Sequence, residues 1–307
     1  MSAPWVGCTP FGNLLPQEVH KVLTNDSLHQ GRIIVVGDVH GCCDELEQLL
    51  KQCRFRQGLD NLVLAGDLVN KGPKSREVIE TARRLGAHSV RGNHDDRALA
   101  VLQARKRGDQ SDVKAFDSKW DWLDALTPED EDYLQQLPFT LSIPSHRVAV
   151  VHAGLVPSRP LPEQRLSDMY KMRDVIPAST SGNPVDGWEA SDKRGLAGGQ
   201  PWGSAWKGPD HVFFGHDAKR GLQHHPHATG LDTGCCYGRQ LTGAILPPAS
   251  TTPLRPQEPG ACLSASGDRE GQSSVASGTP TREHLGIKLL SVPAAQVYEQ
   301  PKEPKPA

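Results

Sequence analysis

Two aspartates, one asparagine and three histidines stand where short apolar runs of this chain end. Ile33-Ile34-Val35-Val36 leads into Gly37-Asp38-Val39-His40-Gly41, and Leu62-Val63-Leu64-Ala65 into Gly66-Asp67. Val90 leads into Arg91-Gly92-Asn93-His94-Asp95, Val148-Ala149-Val150-Val151 into His152-Ala153-Gly154, and Val212-Phe213-Phe214 into Gly215-His216-Asp217. A buried strand that stops at a glycine and then presents Asp, His or Asn is how an open sheet places ligands at its carboxyl edge. Each such residue taken singly reads as a turn former or a satisfied structural side chain. Together they amount to enough oxygen and nitrogen donors for two divalent ions.

Asp38 and His40 are separated by one residue, so in extended backbone their side chains point the same way and can close on one ion. A carboxylate has two oxygens, which makes Asp67 the natural bridge between ions about 3.5–4 Å apart. Asn93, His152 and His216 then supply a neutral, imidazole-rich second position. Because metal coordination lowers the pKa of water from about 15.7 towards 7, a hydroxide so held needs no side-chain nucleophile. His94, directly after a ligand, is placed to protonate a leaving oxygen. The expectation is a binuclear metallohydrolase.

The elements that must carry these residues alternate from Arg32 onward. Leu46, Leu49, Leu50 and Cys53 fall on one helical face, and Val78, Ile79, Ala82 and Leu85 on another. Each helix lies between two of the strand ends, which predicts βαβ units in an α/β fold. A helical cover is expected from about Asp95 to Leu137, with Thr127 as an N-cap, Pro128 in the first turn and Glu129 and Asp130 behind it. Residues 1–30 read as an irregular lead-in with a short helix over Pro16–Leu23. Residues 157–210, rich in Pro, Gly and Ser, read as substrate-shaping loops holding Tyr170, Trp188, Trp202 and Trp206, with packing the better reading for each tryptophan. Arg239–Leu246 reads as a strand. Residues 247–282 carry too few large apolar side chains to offset the entropy of ordering them and are expected to be a disordered insertion, with room for a protein-partner motif. Residues 283–300 supply a closing strand and 301–307 a tail.

Certain of these motifs resemble a known family. Gly37-Asp38-Val39-His40-Gly41, Gly66-Asp67-Leu68-Val69-Asn70-Lys71-Gly72, Gly92-Asn93-His94-Asp95 and His152-Ala153-Gly154 resemble, in order, the signature of the phosphoprotein-phosphatase superfamily of metallophosphoesterases. Gly41-Cys42, Leu68-Val69, Gly72-Pro73, Gly215-His216-Asp217-Ala218-Lys219-Arg220-Gly221 and Leu231-Asp232-Thr233-Gly234-Cys235-Cys236-Tyr237-Gly238 are similar to its ApaH-like branch, relatives of symmetrical diadenosine tetraphosphatase. The resemblance implies a single calcineurin-like domain over 31–246, an αββα sandwich with the metals above its sheets. It implies Asp38, His40 and Asp67 on the first ion, with Asp67, Asn93, His152 and His216 on the second. Asn70-Lys71 stands where serine/threonine protein phosphatases carry Asp-Arg. An amide beside His94 gives its cationic form no counter-charge, which makes it a stronger acid, and Lys71 offers phosphate a point charge instead of a fork. Arg173, Lys219 and Arg220 are implied as phosphate contacts, and Tyr237 as a lining residue. The implied reaction is cleavage of a phosphoanhydride in a dinucleoside polyphosphate, polyphosphate or nucleotide cap, with a phosphoserine/phosphothreonine protein phosphatase as the alternative. Two divalent ions are called for, manganese first, with iron, zinc, cobalt or magnesium as the others.

The bulk composition narrows the partners. The 307 residues are 36% hydrophobic and 23% charged, with a formal net charge of −2 and a pI near 6.7. Such a chain has no general attraction for nucleic acid or membrane surfaces, so a polyanionic substrate must be held by a local cluster of cations. Seven Cys without a C-x-x-C pair suit reduced thiols better than a disulfide or zinc framework, and the doublets Cys42-Cys43 and Cys235-Cys236 read as packing thiols. No targeting segment or membrane-spanning run is seen, so a soluble cytoplasmic protein is expected.

Overall fold

The strands at whose ends the candidate ligands stand are continuous apolar runs because both of their faces are covered. The computed structural model describes residues 7–108, 116–178, 187–249 and 279–301. In chain order its strands are β1 (His20–Val22), β2 (Ile33–Val36), β3 (Asn61–Leu64), β4 (His88–Ser89), β5 (Thr140–Ile143), β6 (Val148–Val151), β7 (Asp174–Pro177), β8 (Trp188–Ser191), β9 (Gln200–Pro201), β10 (His211–Phe214), β11 (Gln223–His225), β12 (Ala228–Gly230), β13 (Gln240–Leu246) and β14 (Lys288–Pro293). The α-helices are α1 (Cys43–Gln52), α2 (Ser75–Arg84), α3 (Asn93–Arg107), α4 (Pro128–Gln136), α5 (Leu166–Lys171) and α6 (Trp202–Ala205).

Two sheets stack face to face. One has the order β1-β5-β6-β10-β12-β11, the other β14-β13-β2-β3-β4. Strand periodicity sorts the side chains between layers. Ile33, Val35, Val63 and Ala65 pack with Val148, Val150 and Phe213 between the sheets. Their neighbours Ile34, Val36, Leu62 and Leu64 face outward, where Leu46 and Leu49 of α1 and Val78 and Ile79 of α2 cover them. On the far side Val151, Val212 and Phe214 meet Met169 of α5 and Trp202 of α6. The layers are thus helix, sheet, sheet, helix in one α/β domain. A smaller sheet, β8-β7-β9, occupies part of 157–210.

The short helix expected over Pro16–Leu23 is not formed. His20–Val22 is instead a strand parallel to β5, with His20 opposite Thr140. Eight residues are too few to sustain a helix alone, whereas an extended segment here completes the edge of a sheet. The disordered insertion expected over 247–282 falls mainly on 250–278, which lie outside the described residues, as do 302–307 of the tail.

Asp60 fixes how β2 and β3 start, and so where their ends arrive. It is buried and accepts from the Arg32 backbone N–H (3.0 Å), the Arg32 guanidinium (2.7 Å) and the Arg56 N–H (3.0 Å). Burial alone would raise its pKa, but those hydrogen bonds outweigh it and hold the carboxyl well below its usual value. A depressed native pKa adds stability that is present above the unfolded value, about 3.9, and lost as the pH falls through it towards the native one. Asp60→Asn should therefore cost about 2 kcal/mol at pH 7 and less as the pH falls below the unfolded value. Urea unfolding at pH 7 and pH 3 checks this, and an equal loss at both would refute it.

Candidate metal centre and its cavity

The first two donors lie at the ends of the parallel neighbours β2 and β3, where Val36 pairs with Leu64 in register. His152 and His216 follow β6 and β10, which are also parallel, with Phe213 opposite Val150. The donors themselves join the sheets. His152 Nδ1 meets the Ala65 carbonyl at 2.8 Å, and the His216 N–H donates to Asp38 Oδ1 at 3.1 Å.

Asp67 is at the centre. Its Oδ2 is 3.4 Å from His40 Nε2 and 3.4 Å from His152 Nε2, and its Oδ1 accepts the His94 N–H at 2.8 Å. Asp38 Oδ2 lies 3.8 Å from His40 Nε2. Two overlapping groups of donors therefore share Asp67: His40 and His94 on one side, His152 and His216 on the other. Carbonyl partners fix the imidazoles, Val69 for His40 Nδ1 (3.1 Å) and Lys171 for His216 Nε2 (3.1 Å), so that the opposite nitrogens face the cluster.

Several features test whether these residues fit divalent ions. Burial, then Lys71, holds His40 well below its usual pKa, and burial, then His152, does the same for His216, so both imidazoles are neutral with lone pairs to share. Burial opposes charge on His152, but Asp67 outweighs it and the ring is pushed up to about 10. Asp38 is raised by burial and by Asp232, an anion crowding that a cation relieves. The Asn93 amide can be turned either way. With nitrogen inward it donates to His152 Nε2 (3.2 Å) and His216 Nδ1 (2.9 Å); with oxygen inward it faces His152 Nε2 at 3.2 Å and could serve an ion as a neutral oxygen donor. Lys71 Nζ already approaches His40 Nε2 at 2.7 Å, so a metal would compete with it for that lone pair. The donor set fits.

Backbone strain collects here. Eight non-glycine residues among those described have positive φ, and five of them are His40, Asp67, Asn70, Lys71 and His216. Such conformations cost of order 1–3 kcal/mol each and persist where the surroundings over-determine them. Close approach explains two glycines: a Cβ at Gly92 would strike the Asp67 carboxylate, and one at Gly215 would strike Asp38 Oδ1.

The cluster opens into a cavity of about 1370 Å³. His94 lines it, and its Nδ1 lies 2.9 Å from Asn70 Nδ2. Lys71, Arg173, Lys219 and Tyr237 also line it, with Lys71 Nζ 5.2 Å from the centre of the Tyr237 ring. Arg220 is not brought there. Its guanidinium is taken up by Asp174 (2.6 Å) and Asp217 (2.8 Å), which braces the loop after β10. Tyr170, Trp202 and Trp206 are buried in the outer core.

Sequence reasoning missed much of the wall. Arg97, Lys119, Arg194 and Arg239 all line the cavity, as do Asp232 and Trp122. Arg97 could have been found, since it lies one helical turn after His94. Arg194 and Lys119 reach the cavity from the β8–β9 connection and a 3₁₀ segment and left no periodic signal. Asp95, the last residue of the Gly92-Asn93-His94-Asp95 motif, gave no sign of its role. Its buried carboxylate accepts from Leu68 N–H and Gly92 N–H (2.8 Å each), tying the two ligand turns together, and burial and then Asp67 raise it to about 7.

Residues 31–220 match the calcineurin-like phosphoesterase family. A symmetrical bis(5'-nucleosyl)-tetraphosphatase of Thioalkalivibrio sulfidiphilus is 31% identical over 261 residues, 70% of this chain and 94% of that protein. The protein of the same name from Nitrosococcus oceani is 41% identical over 132 residues, 41% of this chain and 44% of that one. A crystal structure assigned provisionally as a diadenosine tetraphosphatase superposes with a TM-score of 0.65 and 36% identity, covering 90% of this chain and 98% of that one. No helix among the described residues is long and apolar enough to cross a membrane.

Proposed function

The chain belongs to the calcineurin-like phosphoesterases and is a hydrolase of that class, and from this premise we propose that it opens a phosphoanhydride bond of a dinucleoside polyphosphate. Asp38, His40 and Asp67 would hold one divalent ion, and Asp67, Asn93, His152 and His216 the other. When bound, the ions supply Lewis acidity towards phosphorus and an activated water at neutral pH. Manganese suits the mixed oxygen and imidazole donors.

The chain's own groups do the rest. Asn70, at 2.9 Å, occupies His94 Nδ1 and so leaves proton donation to the leaving oxygen to Nε2. Lys71 offers a positive charge beside the cluster. Asp217 draws Arg194 to 2.7 Å and Arg173 to 4.0 Å, holding two guanidiniums side by side. Burial, then Arg194, pulls the Arg173 pKa down, a crowding that a polyanion relieves.

The observation that carries the choice of substrate is this concentration of cations in the cavity of a chain whose net charge is −2. A single phosphomonoester needs two or three positive partners near the metals. Lys119, Lys219 and Arg239 are further positive side chains on the same wall and suit a phosphate chain continuing past the scissile bond. The test is a product-resolved panel of diadenosine tetraphosphate, inorganic polyphosphate, capped RNA and a phosphoserine peptide with manganese, zinc or magnesium. Highest kcat/KM on the dinucleoside polyphosphate is expected. Highest kcat/KM on the phosphopeptide would replace this reading with a protein phosphatase. Arg173→Ala should lose about 2 kcal/mol of transition-state binding, the scale of a hydrogen bond to a charged group, or roughly thirtyfold in kcat/KM on the favoured substrate. A loss of less than twofold would remove Arg173 from phosphate binding.

A further inference from the structure

A second group of metal-binding donors lies beneath the cavity wall, and none of its members lines the cavity. Cys42 follows the His40-Gly41 turn, Glu45 is in the first turn of α1, and Cys235 follows β12 in the turn after Asp232. Their ligand atoms all lie within 4.8 Å of one another. All three are buried, with 1%, 2% and 2% of their surface exposed.

Glu45 is the telling residue. As the third residue of a helix it would ordinarily reach back to the backbone N–H of the N-cap. Instead its Oε1 accepts from the Ala295 N–H (2.9 Å) and the Tyr298 hydroxyl (2.8 Å). Its Oε2 is buried with no hydrogen-bond partner among the described residues, and no Lys, Arg or His there forms an ion pair with it. A buried carboxylate oxygen without donor or counter-charge is costly, and here two thiols stand beside it. Cys42 Sγ makes a 3.8 Å contact with the His40 carbonyl and a hydrogen bond with Cys235, so the two thiols already share one pocket with the carboxylate.

We infer that Cys42, Glu45 and Cys235 bind a third divalent ion of the zinc class, distinct from the pair in the cavity. Two thiolates and a carboxylate select zinc over magnesium, calcium or manganese, because sulfur is too soft a donor for the latter three. Binding releases two thiol protons and leaves the cysteines reduced, so no oxidant is required. The ion enters as the chain folds, since the folded site is closed to solvent.

The consequence is mechanical. Cys42 is two residues from His40, and Cys235 is two residues from Tyr237. Through Glu45 the ion also anchors the segment after β14, where Tyr298 and Glu299 N–H donate to the Cys236 carbonyl (3.0 and 2.9 Å). That segment continues into Glu299, Gln300 and Pro301 on the cavity rim.

The test counts metal in the full-length protein folded with zinc and then repeats the folding with cobalt. Native mass spectrometry should find three ions per chain. The cobalt form should show a near-ultraviolet sulfur-to-cobalt charge-transfer band, which the Asp, Asn and His donors of the cavity cannot produce. Cys235→Ala should lose one ion and the band, Glu45→Gln should weaken both while preserving shape, and Asp67→Asn should keep the band. The absence of any sulfur-to-cobalt band in the wild-type protein folded under reducing conditions, or retention of the third ion by Cys235→Ala, would overturn the inference.

Discussion

Asp67→Asn is expected to lower kcat by about 10³-fold, the upper end of what removing one preorganised electrostatic contact costs, while the protein stays folded. Asp67 Oδ2 stands 3.4 Å from both His40 Nε2 and His152 Nε2, and no other carboxylate oxygen is so placed among the described residues. An amide at this position is isosteric and keeps an oxygen to accept the His94 N–H. It removes the charge and one of the two acceptor atoms that a bridge requires. His152 and His94 hold Asp67 well below its usual pKa against the effect of burial, so the substitution removes a paired charge. Turnover of every phosphate substrate and manganese stoichiometry should fall together, with the circular dichroism spectrum unchanged. Full activity in this variant would end the shared-bridge scheme.

His94→Asn should slow substrates with poor leaving groups by about 10²–10⁴-fold, the range of general acid catalysis. An activated aryl phosphate should slow much less, because its leaving oxygen needs no proton. The ring is well held for proton transfer, since it stacks edge-on against His40 with centroids 4.8 Å apart and Asn70 occupies its Nδ1. Comparing kcat for an alkyl phosphate with kcat for an aryl phosphate separates proton donation from simple positioning. Equal slowing of the two would mean that His94 orients substrate and is not an acid.

The candidate donors were legible because their positions are local. Each follows an apolar run by one to four residues, and a strand both of whose faces are buried writes itself as an unbroken run of Val, Ile and Leu. The same periodicity revealed α1 and α2, and the motif order revealed the family. Edge strands left no such trace: His20–Val22 pairs on one side only, and its pattern admits a helical reading as readily as an extended one.

The sequence by itself determined the alternation of strands and helices and which residues could hold metal, since those depend on short-range pattern and on side-chain chemistry; the layers came only with the family that its motifs resemble. Tertiary structure alone decided which cations face the substrate. Arg220 and Arg194 are both arginines near the same aspartate, yet one is consumed by Asp174 and Asp217 and the other lines the cavity. It also brought Cys42 and Glu45 beside Cys235, far along the chain, with the Tyr298 hydroxyl on the same carboxylate. Such meetings depend on how far each side chain reaches from separately placed turns, and no spacing along the chain encodes that distance.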